Sequence, residues 1–261
     1  MIPLVSELCV YPIKSCRGVS VPLALVKERG FEWDRRWMLV DEAGSFLSQR
    51  TIPAMARLEV RIEPDHLSVK APEMNSLVVP ANPEPMHPVR TTIWSDTVWA
   101  EPYPDAINLW FTGVLGLPCH LVKFPENVRR RVDTRYAKQE EHTGFTDGYP
   151  FLILSEESLG DLNSKLSDPV PMNRFRPNIV VRGCEPFAED SWREFRIGSV
   201  TFRGVKPCAR CRVITVDQET ATVKDEPLRT LAAYRSRGTK ILFGQNLLHS
   251  GSGWISVGDA I

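Results

Sequence analysis

Pro207-Cys208-Ala209-Arg210-Cys211-Arg212-Val213-Ile214-Thr215-Val216-Asp217 joins a cysteine pair of CxxC spacing to a β-branched run. Branching at Cβ stiffens χ1 and suits a pleated backbone, so Arg212 to Val216 predicts a strand. A redox site of the thioredoxin type puts its pair at a helix start, where the dipole lowers the thiol pKa, and the run disfavours that. A structural zinc site takes four ligands, normally two such pairs; there is no second pair, and the five histidines are scattered. An iron–sulfur cluster also wants about four cysteines. Spacing alone therefore favours a tight turn with two buried thiols. Arg210 and Arg212 pull the other way, because nearby positive charge stabilises a thiolate, a soft ligand for a transition metal. One protein thiolate is enough when an organic cofactor supplies the remaining sulfurs.

Outward from this stretch the chain is rich in strand signals. Val5 to Tyr11 predicts a strand stopped by Pro12, and Arg36 to Asp41 with Ser45 to Arg50 predicts a hairpin around Glu42-Ala43-Gly44. Further strands are expected at Leu58–Ile62, His66–Lys70, Leu77–Val79, Val89–Trp94, Val98–Glu101, Phe175–Val181 and Ser199–Arg203. Helices are expected from Pro104 to Gly116 with Asp105 as cap, from a Ser155 cap to about Leu166, and from Pro227 to Tyr234. Asn127 to Thr146 is polar, opens on Arg129-Arg130-Arg131, and reads as a mobile connector or flap. The expected fold is mainly β and barrel-like, with a few helices.

The chain has 261 residues, enough for one large domain or two small ones with a sizeable core. Lys+Arg and Asp+Glu are equal at 32 each, which argues against bulk attraction to nucleic acid or an anionic membrane. The start, MIPLVSELCVYPIKSCRG, has no basic leader or long apolar run, and no later stretch has the composition of a membrane span. A cytoplasmic protein is expected. Of the six cysteines, Cys9, Cys16, Cys119 and Cys184 read as buried and reduced.

Cys208 to Asp217 closely resembles the cysteine segment of MOSC domains, in particular the branch of the mitochondrial amidoxime-reducing components and their bacterial relatives. The resemblance spans essentially the whole chain. Tyr11-Pro12-Ile13-Lys14-Ser15-Cys16-Arg17-Gly18 and Asp34-Arg35-Arg36-Trp37 are similar to landmarks of a MOSC N-terminal β-barrel domain. Pro150 to Ser155, Asn173 to Ile179, Ala188 to Trp192, Phe243 to Asn246 and Val257 to Asp259 are similar to the MOSC domain itself. The chain departs from the pattern at Tyr149, where relatives tend to carry a small residue, and at Ala221, where glycine is common. It is also expected to be without the membrane anchor of the animal proteins and the ferredoxin domain appended to some bacterial ones.

The resemblance implies an N-terminal β-barrel-like domain over 1–125 and a MOSC domain over 126–261. It implies a molybdenum–molybdopterin (pyranopterin) cofactor whose protein sulfur ligand is the catalytic Cys211, with Cys208 a neighbour. Lys14, Ser15 and Arg35 would meet the cofactor phosphate, Arg176 and Asn178 the pterin, and Asp147 the cofactor. Taken alone, each of these also reads as an ordinary solvated, edge-strand or turn residue. The implied activity is two-electron reduction of N-hydroxylated small molecules; the alternative is carriage of cofactor or sulfur on Cys211. The chain has no dinucleotide fingerprint and no cluster-type cysteine set, so a separate electron carrier is expected, a ferredoxin or small haem protein with its reductase. Arg129-Arg130-Arg131 is a candidate docking surface for it.

Overall fold

The computed structural model describes residues 2–137 and 140–261. Among the described residues the chain is mainly β with three α-helices. The largest sheet has eight strands, ordered Glu194–Ile197, Val200–Arg210, Lys240–Ser250, Phe151–Ser155, Ile179–Arg182, Leu4–Val10 and Val19–Val21, with Ser236–Arg237 added beside Lys240–Ser250. Its first-made strand, Leu4–Val10, thus pairs antiparallel with Ile179–Arg182. The parallel pair Phe151–Ser155 and Ile179–Arg182 needs a crossover, and the helix Glu156–Asn163 supplies it. Ser155 caps that helix as expected, its side chain accepting from the Ser158 backbone N–H at 3.1 Å.

A four-stranded sheet (Trp37–Val40, His120–Lys123, Asp96–Pro102, Val89–Ile93) and two three-stranded sheets complete the β structure. One apolar core, including Leu39, Leu58, Leu67, Phe111 and Leu121, underlies the N-terminal half, and another, including Leu8, Phe151, Ile179, Phe202 and Leu247, is built largely from the large sheet's strands. No helix among the described residues is long and apolar enough to cross a membrane. The six cysteines are free, with Cys9, Cys16 and Cys119 buried.

Four local expectations need correction. Arg212–Thr215 is a short 3-10 turn rather than a strand: Ile214 is drawn into a core with Leu154, Phe175 and Phe243, and Thr215 Oγ1 donates to the Arg212 carbonyl. The strand instead precedes it, running from Val200 through the cysteine pair to Arg210. The strand expected from Phe175 starts only at Ile179, because Arg176 is left-handed at φ +55°. Asp105 lies in the first turn of Asp105–Leu115, and Pro104 occupies the cap position without a side-chain bond. The connector from Asn127 is packed rather than loose where it is described. Val132 N–H donates to the Glu141 carbonyl, Thr143 N–H to that of Arg130 and Phe145 N–H to that of Arg35, while Phe145 packs edge-on against Phe124. Lys138 and Gln139, inside that connector, lie outside the described residues.

Candidate functional site

The strand Val200–Arg210 is irregular where it carries the cysteines. Its register against Lys240–Ser250 shifts between Pro207 and Ala209. Proline cannot donate to a ladder, so a bulge is the arrangement that accommodates Pro207, and it leaves Cys208 unpaired between the two register positions. Cys211 then leaves the strand in extended conformation and caps the following 3-10 turn, its carbonyl accepting from Ile214 N–H at 3.2 Å. Because Ile214 is fixed in the core, Cys211 is held by its backbone although its side chain is exposed.

Both cysteines open onto one cleft of about 150 Å³, continuous with solvent. All seven residues singled out from the sequence, Lys14, Ser15, Arg35, Asp147, Arg176, Asn178 and Cys211, line it. They come from five separate segments that the fold brings together between the large sheet and the N-terminal half. Ser15, Arg35 and Arg176 all have left-handed backbones, at φ +66°, +47° and +55°. For non-glycine residues this costs of order 1–3 kcal/mol each and gathers at functional sites.

The inner end is built around Tyr11. The guanidinium of Arg35 lies over one approach to its ring at 4.2 Å and that of Arg176 at 4.3 Å. Arg35 is held by the buried Asp34, Nη1 donating to both carboxylate oxygens at 2.8 and 2.7 Å, and by Asn178 Oδ1 at 2.9 Å. Asn178 is itself buried, and its amide also bonds Asp34, the Cys9 carbonyl and the Leu152 N–H. Its hydrogen-bonding capacity is thus taken up by the protein, which makes it the orienter of Asp34 and Arg35. Arg176 differs: among the described residues its guanidinium has no hydrogen-bond acceptor and no carboxylate partner. Burial, then the neighbouring Arg35 charge, lower its pKa.

At the other end, the buried Lys14 donates to the Phe145 carbonyl at 2.9 Å and pairs with Asp147. Burial lowers its pKa to about 8, with Asp147 restoring part of the loss. Desolvation in the crowded cleft, which acts to raise the Asp147 pKa, is outweighed by the Lys14 and Arg50 charges and by hydrogen bonds from Lys14 and Trp94. Its carboxyl therefore stays well below the usual range. Ser15 contributes its carbonyl, which accepts from Gln49 Nε2 at 2.7 Å.

The sequence reading missed Arg50. Its Nε donates to Cys211 Sγ at 3.4 Å and its Nη2 to Asp147 at 3.2 Å, while its guanidinium lies 4.3 Å from the centre of the Trp94 ring. Arg210, expected beside Cys211, instead donates to Cys208 Sγ at 3.1 Å and to the Phe175 carbonyl. Arg212 is exposed at the start of the 3-10 turn. Nothing in the local sequence flags Arg50, because its contact with Cys211 crosses 161 positions. Among the described residues the cleft is lined by five cations, Lys14, Arg35, Arg50, Arg176 and Arg210, against one carboxylate, Asp147. It suits an anionic group beside a soft sulfur ligand. No cluster of three or more His, Cys, Asp or Glu side chains able to hold a metal ion by itself occurs among the described residues.

The expected docking run is otherwise engaged. Arg130 is buried, bonded to Asp96 at 2.7 Å and to the Gly144 and Thr146 carbonyls at 2.9 and 2.7 Å. Arg129 pairs with Glu28 at 3.3 Å, and Arg131 pairs with Glu140.

Comparison with known proteins places this arrangement. Residues 2–118 match the model of the MOSC N-terminal beta barrel domain and residues 140–261 that of the MOSC domain. Mitochondrial amidoxime-reducing component 1 of Mus musculus is 34% identical over 98% of this chain and 81% of that protein. Mitochondrial amidoxime reducing component 2 of Bos taurus is 37% identical over 88% of this chain and 72% of that protein. The molybdenum cofactor sulfurase of Oryza sativa subsp. japonica is 31% identical over 91% of this chain but only 31% of its own length.

Proposed function

The chain belongs to the MOSC family, and from that premise we propose that it holds a molybdenum–pyranopterin cofactor in this cleft and reduces N-hydroxylated compounds of the amidoxime type. Relatives named for amidoxime reduction and for the molybdenum cofactor support the reading. The observation that carries it is Arg176: a guanidinium in a left-handed backbone, stacked on Tyr11, lining a cation-rich cleft with no carboxylate partner among the described residues. Such a group is completed by an anionic ligand, and a phosphate-bearing cofactor is one.

Arg35, steered by Asp34 and Asn178, presents the remainder of its five-donor fork to the same end of the cleft. Lys14 adds a point charge, and Asp147 holds its ammonium in place. Cys211 is the residue that would ligate the metal, with Cys208 held apart by its own contact to Arg210. Leu152, Phe175, Val213 and Ile214 give the cleft an apolar side. When bound, the cofactor supplies two-electron chemistry at the N–O bond, which the protein's side chains cannot provide. The electrons come from a separate redox protein, a ferredoxin or small haem protein.

The test is to produce the chain in a host that makes the cofactor, measure molybdenum and pterin per chain, and assay benzamidoxime reduction with a chemical reductant. About one cofactor per chain and turnover are expected. Cys211→Ser abolishes turnover, whereas Cys208→Ser is milder; equal loss in two folded variants would remove the unequal roles. A chain that binds no metal yet accepts a persulfide on Cys211 would move the reading to sulfur carriage.

A further inference from the structure

We propose that Arg50 is the positioning residue of the Cys211 sulfur, and that Trp94, from a separate hairpin, holds Arg50 in that place. The metal-tuning part of this inference rests on the function proposed above; the clamp itself does not.

Three contacts fix the Arg50 guanidinium: Nε to Cys211 Sγ, Nη2 to Asp147, and its flat face against the Trp94 ring. Trp94 sits at the tip of the hairpin formed by Val89–Ile93 and Asp96–Pro102. It is left-handed at φ +56° and about half exposed, an unfavourable place for the largest side chain. Its Nε1 donates to Asp147 at 3.2 Å and its ring leans on Phe46 at 5.0 Å. Asp147 thus ties Lys14, Arg50 and Trp94 together. The arrangement ends on one sulfur, and only a planar fork stacked on an aromatic face makes all three contacts at once, which lysine cannot copy.

A donor aimed at a thiolate does two things. It selects the side-chain rotamer, and it draws charge from the sulfur. On a metal-bound thiolate, withdrawal of charge favours the more electron-rich state of the metal and raises its reduction potential, as hydrogen bonds to sulfur do in other metal–thiolate centres. Cys208 has its own guanidinium, Arg210, from two residues along the same segment. It therefore serves as an internal control.

The clamp is read first in the cofactor-free chain, by the Arg50 Nε–H resonance in a ¹⁵N–¹H spectrum, identified by its loss in Arg50→Lys. The signal is expected to be shifted by the indole ring and slow to exchange. Cys211→Ser moves it, Cys208→Ser leaves it, Trp94→Ala returns it to the position of a solvated arginine, and Trp94→Phe largely keeps it. In the loaded protein the metal midpoint potential falls in Arg50→Ala and Trp94→Ala and is retained in Trp94→Phe. A resonance indifferent to Cys211→Ser overturns the contact. An unchanged potential in Arg50→Ala with full metal content overturns the tuning. If no variant or parent takes up metal, the proposed function fails, and the spectra still decide whether Arg50 is clamped.

Discussion

Two groups of arginines, one consecutive in the chain and one scattered along it, are used differently by the fold. Arg129, Arg130 and Arg131 are consecutive, look like a basic patch in the sequence, and are each met by a carboxylate in the structure. Arg35, Arg50 and Arg176 are scattered through the chain and converge on one cleft, where Arg35 pairs with Asp34 and Arg50 with Asp147 but Arg176 meets no carboxylate among the described residues. A run of like charges in sequence says little about charge in space. Arg130 is spent on Asp96 and two backbone carbonyls, whereas Arg176 lines the cleft without a carboxylate partner among the described residues.

Four experiments sharpen or break that contrast. The largest effect is expected at Arg130. Arg130→Ala strips a buried cation from Asp96 and leaves the Gly144 and Thr146 carbonyls without their donor. The loss should be about 3 kcal/mol of unfolding free energy, with cofactor content unchanged in what remains folded. A denaturant titration measures it, and a change under 1 kcal/mol would return Arg130 to the surface.

Next is Arg176→Ala, which removes a charge-assisted contact worth roughly 1.5–3 kcal/mol, or about 10- to 150-fold in cofactor retention. The cofactor-free chain should lose little stability, because among the described residues the cation removed has no carboxylate partner and only its stacking on Tyr11 to lose. Full retention on dilution would show that Arg176 is structural like Arg130. Arg35→Ala should combine both behaviours, since it faces the cleft and also pairs with the buried Asp34.

Third is pH. The Lys14 pKa is depressed to about 8 in the fold. In the cofactor-free chain the unfolded state therefore binds more protons above that pH, and this residue's contribution to stability rises as pH climbs from about 8 towards the ordinary lysine value. Cofactor affinity has the opposite slope, falling above about 8 as the ammonium is lost. Retention that is flat from pH 7 to 9, or a slope that survives in Lys14→Met, would remove Lys14 from the anion site. The smallest effect is expected from reversing Arg129 and Arg131 to Glu, pairs exposed enough to be worth little. Carrier-dependent turnover should stay within about twofold, and a large, salt-sensitive drop would restore that run as a docking surface.

The contrast also marks what was legible in the sequence. The mainly β character and the family were readable because strand patterns and motifs such as Tyr11 to Gly18 are local. Lys14, Arg35, Arg176 and Asn178 were found together because each lies inside such a motif, and the structure does gather them in one cleft. The share that Asn178 takes in fixing Asp34 and Arg35 was not legible, because its partners lie 143 and 144 positions away. Arg50 was invisible for the same reason. The strand expected at Arg212–Val216 failed because intrinsic β preference is weak beside burial: Ile214 is taken by a core that a straight strand could not reach. The bulge at Cys208 could have been suspected from Pro207, since proline inside a paired strand requires one.

The pairing of Leu4–Val10 with Ile179–Arg182 has a consequence for how the protein is made. A ribosome releases the first strand, Lys14 and Arg35 long before the segment that pairs with them, and Cys211 later still. The first strand must wait, unpaired, through the synthesis of the intervening chain, and contacts of such long sequence separation form slowly. The cleft does not exist as a binding surface until Lys240–Ser250 has joined Val200–Arg210. Any cofactor is therefore received only after Lys240–Ser250 has been made and has paired.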